Sequence, residues 1–137
     1  IGDGSILMNI QDLQTIKQDN INVIICIINN NGYLAIRNTQ NEFLEGRLYG
    51  THPDWNLTMP SYEKIAYAFD LPYVRLDKAH NVNGVVKDLL STSGPVICEI
   101  IVDDNQDVLF RQGYAHNEDG TFTPQPLSEM APFFKLN

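Results

Sequence analysis

The sequence predicts an α/β domain built on a parallel β-sheet with helices on its faces. Three short apolar runs have the length and composition of buried parallel strands, at residues 23–28, 73–76 and 95–102. Stretches with the helical spacing of apolar residues separate these runs. Since parallel strands need long crossover connections, this alternation of strand and helix predicts right-handed βαβ units.

The segments between the strands show the 3.6-residue spacing of amphipathic helices. The predicted helices cover residues 5–20, 33–40, 61–69 and 82–90. Ser5 is the expected N-cap of the first helix. Residues 42–60 are rich in Gly, Pro and polar side chains and predict a long loop. Loops of that length inside a compact domain are usually binding loops or lids, so we expect this one to border a ligand site.

The composition limits the partners that this chain can bind. Its 137 residues are 43% hydrophobic, enough for one globular domain with its own core. The net charge of −8 argues against nucleic acids and anionic membranes as partners. No run approaches the roughly 18 apolar residues of a membrane span, and no signal-peptide pattern opens the chain. Cys26 and Cys98 lie in predicted strands, so we expect two buried, reduced thiols in a cytoplasmic protein.

The predicted domain organisation is one domain, residues 1–137, in which residues 103–137 form a C-terminal tail. The apolar residues of that tail are expected to pack over the domain or over a neighbouring subunit. In a doubly wound sheet a phosphate-binding turn follows a strand, yet only Ile1 precedes Gly2 here. We therefore expect the N-terminal strand to be missing from this chain and the chain to be part of a larger protein.

The first turn of the chain has the composition of an anion-binding turn. Gly2 and Gly4 flank Asp3, so the backbone can approach a ligand with no Cβ in the way. The backbone N–H groups of Gly4 and Ser5 open the helix that follows, and helix N-termini favour anions. Taken alone, such a Gly-Asp-Gly sequence is more often a simple turn.

A second polar turn, Asn29-Asn30-Asn31-Gly32-Tyr33, follows the first predicted strand. Because parallel strands end at a common edge of the sheet, Asp3 and Asn30 are expected to lie close together. A carboxylate and a carboxamide supply the oxygen ligands that Mg²⁺ prefers and that it shares with phosphates. Each turn alone is most often structural, but the two in this order predict a magnesium and phosphate site.

These two motifs resemble the signature of thiamine diphosphate enzymes. The Gly-Asp-Gly-Ser turn and the double Asn are similar to those of the acetolactate synthase, pyruvate oxidase and benzoylformate decarboxylase group. Residues 22–28 and 94–100 resemble the strand before the double Asn and the Gly-Pro strand near the end of such enzymes. The resemblance covers essentially the whole chain. It implies a thiamine diphosphate-binding fold, the C-terminal cofactor-binding domain, with thiamine diphosphate and Mg²⁺ as cofactors.

The resemblance also implies roles for individual residues. The Mg²⁺ ligands would be the Asp3 carboxylate, the Asn30 side chain and the backbone carbonyl of Gly32. Residues of the first turn would hold the diphosphate, and Tyr33 and Leu34 would lie near the diphosphate and the thiazolium ring. The implied cofactor-binding residues are Gly2, Asp3, Gly4, Ser5, Asn30, Gly32, Tyr33 and Leu34. For Tyr33, simple packing at a helix start is an equally good explanation.

The activity implied by the resemblance is that of a lyase or carboligase acting on a 2-oxo acid such as pyruvate. No catalytic residue is implied within this chain, because the activating Glu of such enzymes comes from a pyrimidine-binding domain, usually of a neighbouring subunit in a homo-oligomer. The isolated chain is therefore expected to be inactive. Residues 34–39 lack the Gly-Met-Val and the following Trp of branched-chain acetolactate synthases, so the chain looks more like acetolactate synthase-like enzymes of specialised pathways.

The histidines and the long loop carry weaker signals. Three histidines, His52, His80 and His116, fall in predicted loops or beside helix starts. None belongs to a catalytic motif, so we expect solvated or capping roles for them. Arg47, Asp54 and Trp55 share the long loop with His52 and are candidates to face a substrate.

Two other functions are compatible with the residues. A simple 2-oxo acid decarboxylase would differ mainly in its substrate-facing part. A non-catalytic flavodoxin-like domain that binds a phosphate or a nucleotide would use the same turn chemistry. Binding of thiamine diphosphate that requires Mg²⁺ separates the first two functions from the third.

Overall fold

The computed structural model describes residues 1–77, 81–106 and 110–130. The chain forms two units, residues 1–105 and residues 106–137. The helices of the first unit are α1 Asp3–Ile6, α2 Asp12–Gln18, α3 Leu34–Phe43, α4 Tyr62–Ala68 and α5 Val82–Ser91. Its strands are β1 Ile24–Asn29, β2 Tyr73–Leu76 and β3 Val96–Ile101, and its 3₁₀ helices include Leu7–Asn9 and Pro53–Trp55.

The three strands of the first unit form one parallel sheet in the order β1-β3-β2. Ile27 of β1 lies beside Glu99 of β3, and Glu99 lies beside Arg75 of β2. The other edge of β1 meets the start of the chain: the N–H of Ile28 donates to the carbonyl of Ile1 at 2.8 Å, and Gly2 forms a parallel bridge with Ile28. The parallel α/β architecture predicted from the apolar runs is therefore confirmed.

Apolar side chains pack on both faces of this sheet. On one face a core of buried side chains joins α1, α2 and α4 to the sheet, and it consists of Ile6, Leu13, Ile27, Tyr62, Ala66, Leu71 and Ile97. On the other face Leu89 of α5 packs with Val96 and Cys98 of β3. Since β3 is covered on both faces, it is the most completely buried strand.

Three local expectations are wrong. The segment 5–20 is divided into α1, a 3₁₀ turn and α2, and Gly2 rather than Ser5 is the N-cap, because the Gly2 carbonyl accepts the N–H groups of Ser5 and Ile6. Cys98 is buried as expected, but Cys26 is exposed, because it lies on the edge strand β1 and outside the apolar cluster of α5 and β3. His116 lies within a strand.

The second unit contains a short antiparallel hairpin that the sequence did not suggest. Its strands are β4 Tyr114–His116 and β5 Phe122–Pro124, and a 3₁₀ turn follows at Leu127–Glu129. The His116 ring packs edge-on against Phe122 at a centroid distance of 4.5 Å. His80 and residues 131–137 lie outside the described residues. No helix in the part of the chain that the structure describes is long and apolar enough to cross a bilayer.

Candidate cofactor site

The Asp3 carboxylate lies at the contact between the two polar turns. It is 2% exposed, and its Oδ1 accepts the N–H of Gly4 at 2.8 Å while its Oδ2 accepts the N–H of Gly32 at 2.8 Å. The structure thus brings Asp3 and Gly32 together across 29 residues of sequence. A carboxylate can accept about four hydrogen bonds, so each oxygen keeps a free lone pair for a further ligand.

The backbone of Asp3 is held from a third direction. The Tyr62 hydroxyl at the start of α4 donates to the Asp3 carbonyl at 2.9 Å. Burial of Tyr62, followed by the nearby charges of Asp3 and Glu99, raises the pKa of this hydroxyl, so it stays a donor throughout the physiological range. The position of Asp3 is therefore fixed by hydrogen bonds from its own turn, from the second turn and from α4.

Glycine allows a close approach at two places in the turns, and it is required at the second of them, Gly32. A Cβ on Gly4 would overlap the ring of Tyr33, and a Cβ on Gly32 would overlap the carbonyl oxygen of Thr51. Gly32 also has a φ of +141°, a conformation that other residues rarely adopt. The neighbouring Asn31 has a φ of +61°, which Asn tolerates better than most residues. The second turn is thus a tight, left-handed bend pressed against Thr51.

The remaining residues of the predicted site occupy the same two turns. Asn30 lies at the end of β1, half-buried, and its side chain has no hydrogen-bond partner among the described residues. Ser5 is exposed in α1, and Leu34 is the first residue of α3. Tyr33 is the N-cap of α3, and its hydroxyl donates to the Gly4 carbonyl at 3.3 Å. The packing role for Tyr33 is therefore seen, whereas its contact with a cofactor stays a prediction.

The N–H groups of the first turn already have partners within the protein. Gly4 donates to its neighbour Asp3, and the N–H of Ser5 donates to the Gly2 carbonyl at 3.1 Å. The exposed Ser5 hydroxyl is the group of this turn that can reach an anion without breaking a backbone contact. Diphosphate binding by this turn stays a prediction.

The middle of the long loop is attached to the second turn. The Thr51 carbonyl accepts the N–H of Tyr33 at 2.9 Å. His52 Nε2 lies 2.9 Å from Asp104 Oδ2, and the same oxygen accepts Asn31 Nδ2 at 3.4 Å. The loop that was expected to border the site therefore contacts the turn that carries Asn30 and Gly32.

His52 has the capping role that the sequence predicted. Its ring accepts the N–H of Asp54 at the start of the 3₁₀ helix Pro53–Trp55. The ring also lies 5.4 Å from the ring of Trp55, measured between centroids, at a tilted angle. Arg37 of α3, which is 3% exposed, donates to the backbone carbonyl of Asp104. These contacts join the long loop, α3 and the segment after β3.

The donor set of the two turns fits Mg²⁺ and a phosphate. A carboxylate, a carboxamide and a backbone carbonyl are hard oxygen ligands, and Mg²⁺ completes its shell with phosphate oxygens and water. Within the described residues no group of three or more His, Cys, Asp or Glu side chains surrounds a common point. A site of the predicted kind contains only Asp3 from those residue types, so its ligands do not form such a group.

Several residues around the site were not singled out from the sequence. They are Thr51, Tyr62, Glu99 and Asp104. Each contacts one of the two turns from a segment distant in sequence, as Tyr62 does across 59 residues to Asp3. The buried carboxylate of Glu99 had one sequence signal, a charged residue within the apolar run of β3.

Comparisons with known proteins identify the family of this chain. Residues 1–100 match the family model of the thiamine pyrophosphate enzyme, C-terminal TPP binding domain. Thiamine pyrophosphate is another name for thiamine diphosphate. The chain is 31% identical over 112 residues to acetolactate synthase 1 of Zea mays and 33% identical over 112 residues to acetolactate synthase 1 of Oryza sativa. Both are chloroplastic, and each alignment covers 79% of this chain.

A solved structure shares the fold. The thiamine diphosphate-dependent 4-hydroxybenzoylformate decarboxylase of Rhodococcus jostii superposes with a TM-score of 0.67 over 78% of this chain, at 23% identity. The chain spans 20% of that structure and 18% and 17% of the maize and rice relatives. The chain therefore belongs to the family of thiamine pyrophosphate enzymes, as a C-terminal cofactor-binding domain.

Proposed function

We propose that this chain holds the diphosphate end of thiamine diphosphate, through Mg²⁺, in an acetolactate synthase-like enzyme. The Mg²⁺ ligands would be Asp3, Asn30 and the Gly32 carbonyl. The observation that carries this proposal is the buried Asp3 carboxylate, which contacts both turns and keeps free lone pairs. The likeness to acetolactate synthases supports a 2-oxo acid such as pyruvate as substrate.

The chain would contribute binding and orientation to the reaction. When bound, thiamine diphosphate supplies the electron sink that allows a 2-oxo acid to lose CO₂. Asp3 and Gly32 would hold the metal end of the cofactor, and the Ser5 hydroxyl would donate to the diphosphate. Tyr33 and Leu34, at the start of α3, would border the thiazolium side. The long loop, attached at Thr51 and His52, would limit the access of water.

The other parts of the active site would come from elsewhere in the enzyme. We propose that the chain is one part of a larger, homo-oligomeric protein, with residues 103–137 as its tail. The fraction of each relative that it spans supports this. A pyrimidine-binding domain, from the same or a neighbouring subunit, would supply the acid that activates the cofactor.

Calorimetry of the intact protein tests the proposal. Titration with thiamine diphosphate is expected to show saturable binding with Mg²⁺ and little binding with EDTA, because Asp3 would hold the diphosphate through the metal. Flavin mononucleotide and ADP serve as matched controls with different ring systems. Tighter binding of either control than of thiamine diphosphate would contradict the proposal and would favour a nucleotide-binding domain.

The isolated 137-residue chain is expected to be inactive even with excess cofactor. It would leave the pyrimidine half of thiamine diphosphate in water and would lack the activating acid. The measurement is CO₂ release from pyruvate with Mg²⁺ and thiamine diphosphate, with free cofactor as the blank and the intact protein as the positive control. Turnover above the blank would place the activating group within these residues. Product analysis of the intact protein, acetolactate against acetaldehyde, separates a carboligase from a simple decarboxylase.

A further inference from the structure

Glu99 is a buried carboxylate outside the predicted ligand set. It lies in β3 and is 4% exposed. A buried charge is costly unless it is paired and hydrogen-bonded. Glu99 Oε1 accepts Asn29 Nδ2 at 2.5 Å, and Glu99 Oε2 accepts the Tyr73 hydroxyl and lies 3.8 Å from Arg75 Nη1. Each oxygen of the carboxylate therefore has a partner.

Tyr73 and Arg75 hold Glu99 from the neighbouring strand. Both residues lie in β2, and Arg75 is directly beside Glu99 in the parallel register. Burial and the hydrogen bond to Glu99 raise the pKa of Tyr73 to about 12, so its hydroxyl remains a donor at neutral pH. With Oε2 engaged by β2, the other oxygen is directed at Asn29 on β1.

The Asn29 side chain connects Glu99 to the backbone of the second turn. Its Nδ2 donates to Glu99, while its Oδ1 accepts the N–H of Asn31 at 2.9 Å. The two ends of one carboxamide thus bind the sheet and the turn at the same time. A side-chain bond to the N–H two residues ahead is a standard means of shaping a turn. This bond closes around Asn30, the residue between them.

Mostly polar side chains surround the second turn on the side that faces Glu99. Asn29, Asn31, Tyr73, Arg75 and Glu99 line a cavity of about 320 Å³. Tyr62, at the start of α4, also lines this cavity. Because mostly polar groups adjoin the turn here, hydrogen bonds contribute to its shape.

We propose that Glu99 is a positioning residue for the magnesium site, acting through Asn29 to hold the turn that presents Asn30 and the Gly32 carbonyl. This inference rests on the proposed function, because it concerns the same metal. Outer partners that orient metal ligands commonly change metal affinity by about 10-fold to 100-fold when they are altered. The Glu99 carboxylate would therefore affect Mg²⁺ binding without touching the metal.

A reciprocal exchange tests the contact. In Asn29→Asp two carboxylates face each other, so the new side chain turns away from Glu99 and loses its fixed orientation toward the N–H of Asn31. The half-saturating Mg²⁺ concentration for thiamine diphosphate binding should then rise about 10-fold. An added negative charge near a cation would by itself lower that concentration, so a rise reports on the shape of the turn. The double variant combines Asn29→Asp with Glu99→Gln and so exchanges the two groups. The new amide at position 99 donates to the new carboxylate at position 29, and its carbonyl oxygen accepts from the Tyr73 hydroxyl. The double variant should return to within about 3-fold of the wild type.

The control is Asn22→Asp in the intact protein. Asn22 precedes the other end of β1 and also uses its side-chain oxygen as an acceptor, for the N–H of Gly94 at 3.1 Å. The same change of charge there should leave the Mg²⁺ dependence unaltered. Thermal unfolding without cofactor is measured for all variants. It distinguishes a local change in the second turn from a loss of the folded structure.

Two results would overturn the inference. One is an unchanged Mg²⁺ dependence in Asn29→Asp, and the other is a double variant as weak as Asn29→Asp alone in a folded protein. Either result leaves the proposed function intact as long as the wild type binds thiamine diphosphate with Mg²⁺. Binding of thiamine diphosphate by the wild type without Mg²⁺ would overturn both the inference and the proposed function.

Discussion

Asp3→Ala is expected to remove most of the Mg²⁺-dependent binding of thiamine diphosphate by the intact protein. Asp3 is the only charged ligand in the proposed set, and its carboxylate contacts both turns. Loss of a buried charged partner costs about 2–5 kcal/mol, and we expect a loss of that size in the free energy of cofactor binding. Calorimetric titration at saturating Mg²⁺ measures the effect.

The design of this test separates metal binding from folding. Asp3→Ala leaves the N–H groups of Gly4 and Gly32 without their acceptor, which costs about 1–3 kcal/mol for each buried group. Asp3→Asn keeps the shape and one acceptor oxygen but removes the charge, so it should fold better and still bind weakly. Asp19→Ala, at an exposed carboxylate after α2, is the matched control. Unchanged cofactor affinity in both Asp3 variants would show that the site assignment is wrong.

Gly32→Ala is expected to lower the free energy of unfolding by about 2–5 kcal/mol and to weaken cofactor binding. The new Cβ would overlap the carbonyl oxygen of Thr51, and φ is +141° at this position. The obstacle is backbone, so a change of side-chain rotamer does not relieve it. The second turn must move away from Thr51, which would take the Gly32 carbonyl out of the proposed metal site. Chemical denaturation and calorimetry measure the two effects.

Gly50→Ala provides the comparison for Gly32→Ala. Gly50 lies in the same long loop with a φ of +66°, but no described atom lies within 4 Å of an added Cβ. We expect a cost of about 1–2 kcal/mol from the left-handed conformation alone, with cofactor binding preserved. Equal losses for the two glycines would mean that conformational strain, rather than the contact with Thr51, controls the turn.

The strands and the two turns were predictable because they depend on short stretches of sequence. The apolar run before Asn29 and the Gly-Pro start of β3 identify strands by composition alone. Gly and Asn at the turns identify bends by their tolerance of positive φ, which Asn31 and Gly32 adopt. The order of these elements then implies a parallel sheet, and the comparisons confirm the family.

The first helix shows where local patterns were insufficient. Apolar spacing over residues 5–20 predicted one continuous helix, but the structure has a short helix, a 3₁₀ turn and a second helix. The Gly2 carbonyl closes the first turn early, and Ile1 and Gly2 run beside β1. A tertiary contact thus sets the start of the helix, and Ser5 does not have the capping role that its residue type suggested.

The amino-acid sequence by itself determined the fold class and the two polar turns, because turn chemistry and apolar periodicity act over a few residues. The resemblance of those turns to a family signature identified the cofactor-binding domain. Tertiary structure alone decided what supports those turns: Tyr62 on Asp3, Thr51 on Tyr33, and Glu99 on Asn29. These contacts join segments that are distant in sequence, and hydrogen bonds of buried polar groups depend on atomic positions that no local pattern contains.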